Sequence, residues 1–263
     1  MVLKVKNKEI CLIITGCISP VKQNYLVLTN VNERLKQYIK SIRYYIEETD
    51  FQKIIFCDNS NYNYDHKDDI YNIARSKGKK FEWLSFSGNT QKIVSFGKGY
   101  GEGEIIKYVL KNSTLIKSSS YFAKVTGRLI ITNINSILKN INLKSYDILM
   151  NADIYRKHGI DTRFYIINKY VYLHKYVNIF TKVNDNAIPP LALEDIFFLE
   201  TKLNKKWSNI FPFPRFVGIS GGNGRNYTNE SKNKLKFLDF LCKRNFLKKS
   251  SFIYYYIFGI LKK

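Results

Sequence analysis

Three polar side chains recur at every second position of one otherwise apolar segment, residues 121–131. They are Lys124, Thr126 and Arg128, and residues at this spacing share one face of a β-strand. Burying two cations is costly unless an anion meets them. A phosphate or diphosphate would do so, because an arginine can grip it with two parallel hydrogen bonds and a lysine supplies a point charge. The segment therefore predicts a phosphate-binding site, with a solvated edge strand as the alternative.

Two adjacent carboxylates, Glu194 and Asp195, lie between the rigid dipeptide Pro189-Pro190 and an apolar helical segment at 196–203. Acids at a helix start often only complement the helix dipole or cap the helix. An ionised carboxylate that faces a cleft can also take a proton from an attacking hydroxyl. The pair therefore supplies two candidate general bases, and the sequence leaves open which one acts.

Several loops carry candidate ligand-binding residues. Gly16 follows an apolar run at 9–15, and Asp58 ends a second run at 53–58. The loops after such strands bind ligands in open α/β sheets, so Asp58 is a candidate for a ribose or base contact, or for capping its own turn. The glycine-rich segment 97–103 leads into a helix, where backbone amides can bind an anion; a flexible loop is the alternative. The remaining candidates in these and later loops are Gly99, Tyr100, Gly101, Asp161, Arg163, Ser220 and Gly221.

The elements that would position these residues alternate along the chain. Short apolar runs at 9–15, 53–58 and 81–86 predict buried strands. Between them, an amphipathic helix is predicted after the capping residue Asn30, and a short helix at 68–76. Alternation of strand and helix predicts an α/β fold with a mostly parallel sheet flanked by helices.

In this order the segments resemble a glycosyltransferase of the GT-A fold, which is Rossmann-like. The resemblance covers residues 9–224 and rests on the turn Asp58-Asn59-Ser60, the glycine-rich helix entry, the strand with Lys124 and Arg128, and the Glu194-Asp195 pair. It implies an inverting hexosyltransferase with a UDP-sugar donor, a glycan or lipid-linked glycan acceptor, and Asp195 or Glu194 as catalytic base. The run from Lys98 to Arg128, together with Asp161-Thr162-Arg163-Phe164, is similar to a group of bacterial surface-polysaccharide (O-antigen, capsule) transferases that includes galactofuranosyltransferases.

The chain departs from this family at one motif. GT-A enzymes usually hold a divalent metal with an Asp-x-Asp sequence, and the chain contains no such sequence. Lys124 and Arg128 stand in its place, and with the amides of 99–103 they are predicted to neutralise the diphosphate. Asp58 and the Gly16 loop would then hold the nucleoside. The prediction is transfer without a metal and without any cofactor besides the UDP-sugar.

The charge of the chain points to a polyanionic partner. Among its 263 residues, 43 basic side chains outnumber 21 acidic ones, which gives a net charge of +22. A nucleic-acid-binding protein without catalytic activity is therefore the rival hypothesis. The chain has no helix-turn-helix, RNP-type or zinc-finger signature, so we expect no nucleic-acid partner.

The composition shifts at the C-terminal end. Residues 231–263 contain nine basic side chains, one acid and eight aromatic residues. We therefore predict a catalytic domain at 1–230 and a basic, aromatic helical tail at 231–263. The tail would lie on an anionic membrane surface, or pack on the domain or on a second copy, which leaves a homo-oligomer open. With no apolar run of spanning length, the predicted location is cytoplasmic, peripheral on the inner face of the membrane. The apolar face of the tail would consist of Ile253, Tyr256, Ile257 and Ile260.

Overall fold

The computed structural model describes residues 9–21, 26–154, 159–220 and 224–246, and every structural statement below concerns these residues. They form nine strands and eight labelled helices. The strands are β1 (Ile10–Gly16), β2 (Lys53–Asp58), β3 (Lys80–Ser85), β4 (Tyr121–Thr126), β5 (Ile130–Ile131), β6 (Ile148–Leu149), β7 (Phe164–Asn168), β8 (Trp207–Ser208) and β9 (Phe216–Val217). The helices are α1 (Val31–Glu47), α2 (Lys67–Ser76), α3 (Thr90–Phe96), α4 (Lys98–Asn112), α5 (Thr114–Lys117), α6 (Ile134–Asn140), α7 (Leu193–Thr201) and α8 (Lys232–Lys243).

Seven strands form one mixed sheet in the order β3-β2-β1-β4-β7-β6-β8. The first four are mutually parallel, so their carboxyl ends meet at one edge. β7 runs antiparallel to β4, with Val125 opposite Phe164, which brings the residues just before β7 to that same edge. The predicted α/β fold with a mostly parallel sheet is confirmed.

Helices cover both faces of the sheet, which explains why its central strands are continuous apolar runs rather than alternating ones. On β1, Leu12 and Ile14 pack into one core with residues of α1 and α2, and Cys11 and Ile13 pack into a second core with residues of α4 and α7. α1 begins as predicted, because the Asn30 side chain accepts a hydrogen bond from the Glu33 amide at 3.0 Å.

The strand predicted at 121–131 is broken after Thr126. Gly127 follows it, and its amide donates to the carbonyl oxygen of Thr15 at 2.9 Å. A Cβ at Gly127 would lie 2.3 Å from that oxygen, so only glycine allows the chain to turn this close to β1. The expectation that Lys124 and Arg128 share a face is wrong, because the turn directs Arg128 toward α1.

Two other segments differ from the sequence prediction. The apolar and aromatic composition of residues 164–173 predicts one long strand, but β7 ends at Asn168, and the chain continues as a helical turn and a π-helical segment, Tyr172–Tyr176. The glycine-rich segment is not a loop, since α4 begins at Lys98 and contains Gly99, Gly101 and Gly103. There the glycines permit close packing: a Cβ at Gly103 would lie 2.1 Å from the Phe180 side chain.

Helix α8 packs on the rest of the domain. Leu238 and Cys242 are buried against Ala152 and Phe213, and the Asp239 carboxylate accepts a hydrogen bond from the Phe213 amide at 2.8 Å. The division at 230/231 stays a prediction, as does the membrane-binding tail, because residues 247–263 lie outside the described part of the chain. Within the described ranges, none of the helices has both the length and the apolar character that a bilayer span requires.

Candidate functional site

A cleft of about 870 Å³ opens at the edge of the sheet where the parallel strands end. Nine of the residues predicted from the sequence line it, and four described ones do not. Asp58, Tyr100, Lys124 and Asp195 lie outside its lining, and Gly221 lies outside the described residues. Those that line it are Gly16, Gly99, Gly101, Thr126, Arg128, Asp161, Arg163, Glu194 and Ser220.

The negative charge that meets Lys124 belongs to a side chain of the protein itself. The Lys124 side chain is fully buried, and its ammonium group lies 2.6 Å from the Glu102 carboxylate. It also donates to the Thr162 carbonyl oxygen at 2.6 Å and to the Thr126 hydroxyl at 3.1 Å. These three partners use all three protons of the ammonium group. The predicted role of Lys124 in holding a diphosphate is therefore corrected to a structural one.

This ion pair gives a stability prediction. Lys124→Met should leave the Glu102 carboxylate without its partner and lower the free energy of unfolding by about 3–5 kcal/mol. Adding Glu102→Gln should restore part of that loss, while Lys111→Met at an exposed position of α4 serves as the control. Urea unfolding measures all four proteins. An unchanged stability together with a large loss of UDP affinity would return Lys124 to the ligand site.

Asp58 and Tyr100 also serve the fold. The Asp58 carboxylate accepts hydrogen bonds from the amides of Ile18 at 2.8 Å and Tyr62 at 2.9 Å, and from the Ser60 hydroxyl. It thereby ties the loop after β1 to the loop after β2. Tyr100 is buried and packs edge-on against Phe180. Asp58, predicted to contact a nucleoside, thus lies outside the cleft lining, whereas its neighbours Asn59 and Ser60 line the cleft.

The amino terminus of α4 already faces a carboxylate. The Gly99 amide donates to Asp185 Oδ2 at 3.3 Å, and a Cβ at Gly97 would lie 2.3 Å from that same oxygen. An acid at this position satisfies the amides and complements the helix dipole. The Gly99 amide, one of the amides of 99–103 expected to bind an anion, therefore already has a carboxylate of the protein as its acceptor.

Two arginines that line the cleft have no carboxylate partner among the described residues. Arg128 donates to Gln37 Oε1 at 3.1 Å, and Arg34 donates to the carbonyl oxygens of Cys17 and Leu28, each at 2.9 Å. Both guanidinium groups lie 5.9 Å from the centre of the Tyr38 ring. The site therefore holds two buried positive charges that only neutral groups contact within the part of the chain that the structure describes.

The proximity of these charges affects their titration. Burial lowers the pKa of Arg128, and the neighbouring charge of Arg34 acts in the same direction. A bound anion would offset both effects, because it neutralises charge that the protein leaves uncompensated. Sequence reasoning missed Arg34, although a signal was present: it lies one turn before Tyr38, on the buried face of α1.

The two acids of the Glu194-Asp195 pair have different surroundings. Asp195 Oδ2 accepts a hydrogen bond from the Ala192 amide at 3.0 Å, so this carboxylate caps α7. Glu194 lines the cleft and accepts a hydrogen bond from the Thr162 hydroxyl at 3.0 Å. The geometry favours Glu194 as the carboxylate that can meet a ligand.

The remaining polar groups near the sheet edge are mostly paired. Arg163 forms a bidentate pair with Asp161, at 2.8 and 2.6 Å, and its guanidinium lies near the rings of Phe216 and Tyr227, 4.3 and 4.7 Å from their centres. In the described ranges, no group of three or more His, Cys, Asp or Glu residues is arranged to hold a metal ion.

Comparison with known proteins identifies the fold. No protein-family model and no curated protein sequence matches the chain. The structure is similar to the glycosyltransferase GlyE of Streptococcus pneumoniae TIGR4, with a TM-score of 0.51 at 9% identity, over 76% of this chain and 45% of GlyE. Its apo form gives 0.47 at 10%, over 77% and 45%. The mannosyltransferase Ktr4p of S. cerevisiae gives 0.41 at 10%, over 80% and 70%.

At 9% identity the similarity to GlyE establishes the fold, and this chain spans less than half of the length of GlyE. Fold and site together define an α/β protein whose fold is similar to that of GlyE, with a cleft at the carboxyl edge of the sheet that five basic and five acidic side chains of the described residues line.

Proposed function

We propose that the protein is an inverting glycosyltransferase that moves a sugar from a UDP-sugar to a hydroxyl group of a glycan or lipid-linked glycan. The observation that carries the proposal is the pair Arg34 and Arg128, two cleft-lining cations whose partners among the described residues are all neutral. A diphosphate supplies the missing negative charge. Galactofuranose as the sugar, and cell-surface polysaccharide as the product, follow from the sequence resemblance alone and belong to the proposal.

The proposed reaction uses one carboxylate and two guanidinium groups. Glu194 takes the proton of the acceptor hydroxyl, whose oxygen forms a bond to the anomeric carbon as the bond to the diphosphate oxygen breaks. The leaving UDP keeps the bonding electron pair, and Arg128 and Arg34 stabilise the charge that develops on it. Attack from the face opposite to the leaving group inverts the configuration at the anomeric carbon.

The nucleoside would lie where β1 and β2 end. Asn59 is buried and lines the cleft, and its Oδ1 atom has no hydrogen-bond partner in the described structure. A buried acceptor of this kind is costly unless a donor meets it. An N–H of uracil or a hydroxyl of ribose would satisfy it, beside the loop that begins at Gly16.

The proposed reaction runs without a divalent metal. Mg²⁺ and Mn²⁺ are usually held beside phosphates by one or two carboxylates, whereas the two residues proposed to hold the phosphates are arginines. Fixed positive charges can do the same electrostatic work. Transfer is therefore expected to survive in EDTA.

Cys17 offers a test of where UDP binds. It lines the cleft, and it alone of the four cysteines is not buried. Burial of its thiol raises the pKa of Cys17 to about 11, so its thiolate fraction and alkylation rate should rise about tenfold per pH unit below that value. Saturating UDP should slow alkylation by N-ethylmaleimide at pH 9, measured by mass spectrometry of the intact protein.

Two controls make this result specific. Cys17→Ser should abolish the rapid labelling, and uridine without phosphates should protect far less than UDP. Equal labelling rates with and without UDP, at concentrations that saturate any binding seen by calorimetry, would place the nucleotide elsewhere.

A further inference from the structure

A second cavity, of about 280 Å³, lies beside the cleft. Arg163 and Tyr227 line both spaces, so their side chains form the wall between them. Arg163 is held in this wall by its bidentate pair with Asp161 and by its contacts with the rings of Phe216 and Tyr227. The cavity is therefore a partly open space that adjoins the cleft at these two side chains.

Aromatic and aliphatic side chains dominate the wall of this cavity. The rings of Phe213, Phe216 and Tyr227 are joined by Leu235 and Leu238 from α8 and by the hydroxyl groups of Thr132 and Thr228. A surface of this kind fits a ligand that has an apolar face and hydroxyl groups at its edge. A monosaccharide ring has both features, because its C–H groups can lie on an aromatic ring while its hydroxyls point outward.

The charged side chains around the cavity do not favour an anionic ligand. Each charged side chain of the wall has an opposite charge as its partner: Arg163 pairs with Asp161, and the other pairs are Arg215 with Asp239 and Lys234 with Glu230. This is the reverse of the cleft, where Arg34 and Arg128 contact neutral groups only. The cavity is thus suited to a neutral ligand.

The volume sets the size of that ligand. At roughly 30 Å³ per water molecule, the cavity has the volume of about nine waters. That is room for one monosaccharide ring, and the rest of a glycan would extend from the open side. Binding energy from a ring held here could position the rest of the acceptor, since remote contacts contribute to orientation at the reacting centre.

We infer that this cavity binds a neutral sugar ring of the acceptor glycan, one that does not itself carry the reacting hydroxyl. The inference rests on the proposed function and adds to it the acceptor subsite and its chemistry. The reacting sugar would lie on the cleft side of the Arg163–Tyr227 wall, where Glu194 lines the cleft, and its neighbour in the glycan would occupy the cavity.

Saturation-transfer NMR tests this with a panel of methyl glycosides of galactose, glucose, mannose, rhamnose and N-acetylglucosamine, measured in the presence of UDP. At least one should receive saturation at its ring C–H protons. Thr228 is exposed and lines the cavity, so Thr228→Trp should fill the space and abolish the signal. Asn229→Trp, at the exposed neighbouring position outside the lining, should leave the signal unchanged.

The outcomes separate this inference from the proposed function. Saturation of no glycoside, or equal saturation in wild type and Thr228→Trp, overturns the sugar subsite. Calorimetry should give the same UDP affinity for the wild type, Thr228→Trp and Asn229→Trp. Absence of UDP binding would contradict the proposed transferase function, not the sugar subsite in the cavity. Thermal unfolding confirms that the variants fold, and Thr228→Arg replaces Thr228→Trp if the indole destabilises the protein.

Discussion

Glu194→Gln is expected to reduce sugar transfer by about 10²–10⁴-fold, the usual contribution of a positioned general base. The amide keeps the shape of the side chain and can still interact with the Thr162 hydroxyl, which lies 3.0 Å from Glu194 Oε1. It cannot accept a proton from the acceptor. Turnover should therefore fall while UDP affinity and thermal stability stay close to those of the wild type.

Asp195→Asn is the matched control for this variant. Its carboxylate caps α7 through the Ala192 amide, and weakening a helix cap typically costs about 1 kcal/mol of stability. We expect a small drop in melting temperature and a transfer rate within a few-fold of the wild type. Full activity in Glu194→Gln together with loss of activity in Asp195→Asn would reverse the assignment.

Arg128→Ala is expected to lower kcat by about 10²–10³-fold, as does removal of one group that stabilises developing charge. Its guanidinium donates to Gln37 and faces no carboxylate of the described residues, so the truncation removes positive charge without breaking an ion pair there. Arg128→Lys should recover only part of the activity, because an ammonium group lacks the planar fork of a guanidinium. The measurement is initial rate against UDP-sugar concentration.

Arg34→Ala is expected to act in the same direction and to reduce stability as well, since Arg34 also holds the carbonyl oxygens of Cys17 and Leu28. Arg43→Ala, at an exposed position of the same helix, controls for a general loss of positive charge. If Arg43→Ala weakened turnover as much as Arg128→Ala, the effect would be one of net charge rather than of a defined site.

The predicted part of the fold is the part that local sequence determines. β1 and β2 are apolar on both faces and bounded by turn residues, so their existence and approximate ends follow from residue type alone. The break after Thr126 could not be predicted in this way, because the residues on both sides of Gly127 favour a strand. It is the close approach of β1 that imposes the turn.

The prediction of a strand that reaches Tyr172 and Leu173 was wrong for a similar reason. The aromatic composition of the segment favours a strand, yet Tyr172 and Tyr176 pack against Phe197 of α7 in a π-helical segment. Tertiary packing outweighed local preference there.

The location of the site could be predicted from the sequence, whereas the roles of several of its residues could not. Loops at the carboxyl edge of the sheet do form the cleft, as the topology requires. Lys124, by contrast, was expected to bind a ligand. Its actual partner, Glu102, lies on another element, so the pairing could not be predicted from the residues around Lys124. Arg34 was missed because it forms a candidate anion site only together with Arg128. Arg128 is distant in sequence and is brought close by the turn at Gly127.

Calorimetric titration of UDP in the presence of EDTA tests the central claim most directly, that the cleft binds a nucleoside diphosphate through Arg128 and Arg34. We expect one UDP per chain, retained in EDTA, with binding severely weakened in Arg128→Ala and unchanged in Arg43→Ala. Absence of UDP binding alongside salt-dependent binding of RNA, or UDP affinity that is the same in Arg128→Ala as in the wild type, would contradict it.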